Sequence, residues 1–226
     1  DDAVTLVLTY AEVPYDVIYD DEMIEGKLHL YDWLHLHHED FTGQYGRFYQ
    51  MYKNAPWYQE QVRTLEQTAK NLGFKKVSEL KLAVAKKIRD FTAGGGFLFA
   101  MCSATDSYDI ALAAEGVDIC ESMFDHDPVD PAQNTKLDFS KSFAFKDFSL
   151  VTDPTRYEFS NIDATEFRSG RVNKSNDLFS LFEFSAKWDP IPSMLCQNHE
   201  SIIKGFHGQT TAFIEKYIKS NVLIMG

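Results

Sequence analysis

Basic residues are scarce in this chain. Twenty-two Lys and Arg stand against 34 Asp and Glu in 226 residues, a formal net charge of −12 at pH 7. Phosphate recognition needs clustered cations, so this balance argues against a nucleic-acid partner and against an anionic membrane surface. The one compact basic cluster, Lys86-Lys87-Ile88-Arg89, falls on a helix pattern and reads as a solvated face. Cysteine is also scarce: Cys102, Cys120 and Cys196 make no CxxC pair and no disulfide framework. No apolar run approaches the roughly 18 residues of a membrane span, so no membrane insertion is expected. Asp1-Asp2 stand where the basic region of a secretion signal would be. Phosphate-loop, GxGxxG, GxSxG, HEXXH and EF-hand patterns are all missing, and no cofactor is expected.

Apolar material is plentiful. Hydrophobic residues make up 44 % of the chain and aromatics 14 %, which excludes intrinsic disorder. At about 100–200 residues per domain the length fits one large domain or two small ones. It is enough to fold without disulfides or metal.

Residues 1–116 alternate between helix and strand patterns. A helix starts at Asp1 or Asp2 and stops before Pro14, and Tyr15–Tyr19 reads as a short strand. Tyr31–His37 alternates as a second strand. Asn54 and Pro56 start a helix that runs to about Gly73. Ser78-Glu79 begin another, with Leu80, Val84, Ile88 and Phe91 at helical spacing and Gly94-Gly95-Gly96 at its end. Phe97–Met101 is a continuous apolar run suited to a strand covered on both faces. Thr105-Asp106 can cap a helix that ends at Gly116. This alternation predicts an α/β fold: an open, mostly parallel sheet with helices on both faces. Beyond it, Phe143–Val151, Tyr157–Phe159 and Leu178–Phe184 read as Phe-rich strands, so residues 125–190 are expected to form an antiparallel β-rich insertion. Phe206–Tyr217 reads as helix and Val222–Met225 as a last strand. A helix at the start and a buried-type strand at the end suggest a piece of a larger chain.

The sharpest chemical signal is Gly94–Asp106: strand, then Cys102, then small residues, then helix. This is the layout of a nucleophile elbow, although Ala100 and Ala104 stand where glycine is usual. A helix N-terminus favours the thiolate, and the N–H groups of Ser103 and Ala104 are candidate oxyanion donors. Two bases are candidates: His199 with Glu200, about a hundred residues later, and His38 with Glu39, at the end of a neighbouring strand. His35, His37 and His38 are weaker candidates as metal ligands, since His35 and His37 would share one face of a strand.

Residues Gly94–Gly116 resemble the class I glutamine amidotransferase-like superfamily. Ala11–Asp20, Leu34–Gly43, Phe97–Tyr108, Phe184–Pro190 and Lys204–Phe213 together are similar to a Bacteroidetes family commonly named asparagine synthetase B. The resemblance implies a single flavodoxin-like, amidotransferase-like domain over residues 1–226, export to the periplasm or cell envelope, and a nucleophile at Cys102. The pyrophosphate-binding Ser-Gly-Gly of glutamine-dependent asparagine synthetases does not occur here.

The leading expectation is a thiol amidotransferase or hydrolase acting on a small-molecule substrate. The alternatives are a non-catalytic cell-envelope domain that binds a protein partner or ligand on the same fold, and a metal-assisted hydrolase at the histidine cluster. The aromatics Tyr45, Phe48, Tyr49, Tyr52, Trp57 and Tyr58 fit a partner surface, a carbohydrate platform or a packed loop.

Overall fold

The computed structural model describes residues 3–163, 178–180, 202–204 and 214–220. In chain order these contain helices α1 (Ala3–Tyr10) and α2 (Asp20–Ile24), strand β1 (Trp33–Leu36), and helices α3 (Tyr49–Tyr52), α4 (Pro56–Asn71) and α5 (Val77–Ala93). Strand β2 (Phe97–Ala100), helices α6 (Ser103–Ala113), α7 (Ser122–Asp125) and α8 (Gln133–Lys136), and strands β3 (Leu178–Ser180) and β4 (Ile202–Lys204) follow. The chain divides into two compact units, Asp1–Ile18 with Phe167–Thr210, and Tyr19–Glu166 with Thr211–Gly226. In the first, β3 and β4 pair antiparallel, Phe179 opposite Ile203.

The second unit carries the candidate chemistry and mixes helix with strand. Its β1 and β2 pair in parallel, Trp33 opposite Phe97 and Leu36 opposite Ala100. Parallel neighbours need a long crossover, and α3, α4 and α5 supply it. Helix α5 forms because Leu80, Val84 and Ile88 recur at helical spacing, and all three are buried. Each such side chain contributes roughly 1.5–3 kcal/mol. Lys81, on the same helix, is almost buried and ion-pairs with Asp20 at 2.7 Å, which fastens α2 to α5.

Helix α6 runs through the middle of this unit, with Ala104, Ser107, Ile110, Leu112 and Ala113 inaccessible to water. Ile110 and Ala113 meet Phe145, Phe148, Phe159 and Ile162 in the main core cluster. Asp109, also on α6, accepts the backbone N–H groups of Phe143, Ala144 and Phe145 at 2.6–2.7 Å.

Several sequence expectations change. Residues 143–163 make isolated bridges, Phe145 to Ile218 and Leu150 to Ser160, rather than regular strands. Side chains take the N–H groups that a ladder would use. Besides the three held by Asp109, the Leu150 N–H donates to Asn134 and the Ser149 N–H to Asn161. Tyr15–Tyr19 is not a strand, and the Tyr19 N–H instead donates to Glu22 in the first turn of α2. Ala55 rather than Asn54 caps α4. Strand β2 is not covered on both faces: Phe97 is 58 % exposed and Phe99 37 %. Their rings pack against Trp33 and His35 across the surface of the strand pair. Helix α6 starts two residues before the expected Thr105 cap. In the 206–217 segment, Glu215–Tyr217 forms a 3-10 turn. Residues 206–213 and 222–225 lie outside the described residues.

Candidate thiol site

The site begins with a turn. The Met101 N–H donates to the Leu36 carbonyl, the last rung between the strands. Cys102 then takes φ 52° and ψ −136°, and the Ala104 N–H closes onto the Met101 carbonyl at 3.1 Å. This is a type II′ turn with Cys102 at its first central position, where glycine is the usual occupant. A side chain held there costs of order 1–3 kcal/mol. Cys102 is partly exposed and caps α6.

The segment after β1 is laced to the same helix end. Ser103 Oγ donates to the His38 carbonyl at 3.0 Å, and Ser107 Oγ to the Glu39 carbonyl at 3.1 Å. Asp40 then organises a loop, accepting the N–H groups of Thr42, Gln44 and Gly46. Within it Gly43 sits at φ +82°, and a Cβ there would lie 2.7 Å from the Ser78 backbone. The loop ends on buried Arg47, whose guanidinium donates to the carbonyls of Val151, Asp153 and Glu158. That clamp carries Tyr157, whose ring packs on Phe48.

Tyr157 meets the thiol. Its phenol lies close enough to Cys102 for the thiol to act on it electrostatically. Burial, with Cys102 and Asp106 nearby, pushes the phenol pKa well up, so Tyr157 stays protonated. Asp106, one helical turn from Cys102, is 3 % exposed. Burial first, then the charge of Asp163, pushes its carboxyl up to about 8 against the pull of helix amides. At neutral pH it is mostly the uncharged acid.

No family model, curated protein or solved structure matches the chain. The functional reading therefore rests on this geometry.

The expected partners of Cys102 fare differently. His38 reaches the same sheet edge, with its ring stacked on His37 at 3.7 Å. Glu39 turns its carboxylate to the His37 N–H at 2.6 Å. Of the two expected oxyanion donors, the Ala104 N–H is used by the turn. His199 and Glu200 lie outside the described residues. Sequence reasoning missed Tyr157, Asp106 and Arg47. Asp106 could have been found from its place four residues after Cys102; Tyr157 and Arg47 reach the site only through the fold.

The histidines do not converge as a strand would bring them. Strand β1 ends at Leu36, His35 Nε2 lies 3.3 Å from Met101 Sδ, and the three histidines do not gather as a metal-type donor group. Among the described residues, the group that gathers metal-type donors is Asp118, Cys120 and Asp125. The Lys76 ammonium sits among these carboxylates, 2.6 Å from Asp118, 2.8 Å from Asp125 and 2.9 Å from Asp127. A fixed cation thus already balances the cluster. Burial pushes the Cys120 thiol well up, and Sγ donates to the Thr42 carbonyl at 3.2 Å. Cys120 is structural. Among the described residues no helix is long and apolar enough to cross a membrane.

Proposed function

We propose that this protein is a thiol-dependent acyl- or amide-transferring enzyme, or a hydrolase of the same bonds, with Cys102 as nucleophile. The carrying observation is the backbone of Cys102, a strained left-handed turn between a parallel strand and a buried helix. Strain of this kind persists where the surroundings over-determine it and clusters at functional sites. In support of the reading, Cys102 is also the N-cap residue of the buried helix α6 and is partly exposed.

In this reading Cys102 Sγ bonds to the carbonyl carbon of an amide or ester. The thiol proton passes to His38, the candidate base carried by the adjacent strand end. The Ser103 N–H receives the developing oxyanion. Collapse breaks the C–N or C–O bond, and the leaving group takes the proton from His38. Water or an acceptor amine then cleaves the thioester and restores the thiol. Tyr157 orients the sulfur, and uncharged Asp106 avoids placing a second anion beside the forming thiolate. The β1–β2 pair is, in the same proposal, part of an open flavodoxin-like sheet. The family resemblance adds an exported, cell-envelope setting.

Alkylation tests the reading. Folded protein is treated with iodoacetamide at pH 6.5, and modified peptides are quantified by mass spectrometry. Cys102 is expected to react much faster than Cys120, and Cys102→Ser is expected to abolish turnover of activated amides and esters. A Cys102 as slow as Cys120 would overturn the proposal and favour the binding-domain alternative.

A further inference from the structure

Strand β2 pairs on one side only. In a parallel pair the N–H and C=O groups of successive residues point to opposite edges. The Phe97 and Met101 N–H groups donate to the Asp32 and Leu36 carbonyls, so the backbone groups of Leu98 and Ala100 face away from β1. The Ala100 carbonyl accepts from Thr105 Oγ at 3.3 Å. The Leu98 N–H, the Leu98 carbonyl and the Ala100 N–H have no hydrogen-bond partner among the described residues. Leu98 and Ala100 are both partly exposed.

Nothing in β2 blunts this edge. Open edges are normally guarded by Lys, Pro or a bulge, because a row of unpaired amides is a template for another strand. Phe97-Leu98-Phe99-Ala100 carries neither residue, and its register with β1 is regular. The strand also presents side chains: Phe97, Phe99 and Met101 alternate onto one face and all three are exposed. Trp33 continues that face on β1, edge-on to Phe97 at 5.7 Å and half exposed.

These features select the occupant. Backbone N–H and C=O groups at strand spacing are matched by another peptide backbone, and by neither a sugar nor an acyl chain. Taking about 200 Å² for a whole large side chain, the exposed parts of Trp33, Phe97, Phe99 and Met101 offer about 300–400 Å². A stable dimer needs about 800 Å² from each partner. The edge is therefore too small for a second copy of this chain and suits one short extended segment.

We propose that an extended polypeptide adds as a strand to the outer edge of β2, so that the substrate of the thiol centre is a peptide amide. This inference rests on the reading of Cys102 as nucleophile. Strand β2 runs directly into the turn that holds Cys102. At about 3.3 Å per residue Leu98 lies roughly 13 Å before it, so recognition extends about four residues from the attacked carbonyl. Every second side chain of the added strand lies beside Phe97, Phe99 and Met101, which selects apolar residues at alternate positions.

The test titrates ¹⁵N-labelled full chain carrying Cys102→Ser, so that bound peptide is not consumed. The probe is a capped octapeptide in which valine and threonine alternate between terminal lysines; its control is N-methylated at the four central residues. Saturable shifts at residues 96–102 with the probe, and binding about tenfold weaker for the control, are expected. Leu98→Pro removes an N–H that β1 does not use, a change strand edges tolerate, and is expected to weaken the probe similarly; the N-methyl comparison serves if that variant does not fold. In wild type the probe should slow Cys102 alkylation. Slow hydrogen exchange at the Leu98 and Ala100 amides of the free chain overturns the proposal, because the edge is then already paired. Equal binding of probe and control, or shifts confined elsewhere, also overturns it. Probe binding with a Cys102 as slow to alkylate as Cys120 removes the thiol reading and with it the substrate assignment; rapid alkylation without probe binding overturns this inference alone.

Discussion

Removing the Arg47 guanidinium should loosen the loop that carries Tyr157. Arg47 is 2 % exposed and donates to the carbonyls of Val151 at 3.1 Å, Asp153 at 2.6 Å and Glu158. Hydrogen bonds from a charged donor are worth about 1.5–3 kcal/mol each, so three give a gross loss of about 5–9 kcal/mol. Two effects reduce it in Arg47→Met. The stretch around Asp153 is partly exposed, so water can replace part of the bonding. The variant also no longer buries a charge whose desolvation opposes folding. Methionine keeps much of the side-chain volume against Phe159, over which the guanidinium now lies. A net loss of about 2–4 kcal/mol is expected. Arg47→Lys should lose about half as much, because one ammonium reaches one or two of the three carbonyls. Urea unfolding measures the loss, and hydrogen exchange should rise selectively at residues 151–159. Because Tyr157 rides on that loop, Cys102 alkylation should accelerate severalfold. An Arg47→Met protein within about 1 kcal/mol of wild type, with exchange and alkylation unaltered, would refute the clamp.

Asp106 makes stability depend on pH. Its folded pKa of about 8 lies above the unfolded value near 4, so the native state holds the extra proton between those limits. The contribution is fully present below pH 4 and is lost as pH rises through 8, a fall of a few kcal/mol. Asp106→Asn should flatten that slope relative to wild type in urea titrations at pH 5, 6.5 and 8; parallel slopes would contradict it. Gly43→Ala should destabilise by about 2 kcal/mol or more, through positive φ and a Cβ clash with the Ser78 backbone. A thermal midpoint unchanged within a degree would count against that packing.

Much of the second unit was legible because its signals are local. The spacing of Leu80, Val84 and Ile88, the apolar run at Phe97 and the alternation around Leu34 each report one element from its own residues. The turn at Cys102 was legible for the same reason: strand, small residues and helix follow one another directly. Residues 143–163 were misread because their partners are distant in sequence. Phe-rich segments look like strands, yet Asp109 and Asn134 claim their amides, and nothing within the segment announces that. The expected double covering of β2 failed on Phe97 and Phe99, whose apolarity cannot say whether a helix lies above them. Of the readings open for Tyr45 and Tyr58, the packed loop is the one that holds, since both are buried. Tyr157, Arg47 and Cys102 are brought together by loop closure alone, which no periodicity encodes.

The conformation at residue 102 has one more consequence. Glycine would adopt it freely, so Cys102→Gly would relieve the turn and, under the proposed function, remove the nucleophile in one step. Under that proposal robustness and reactivity compete at a single Cα, and selecting this protein for heat tolerance alone would tend to discard its sulfur.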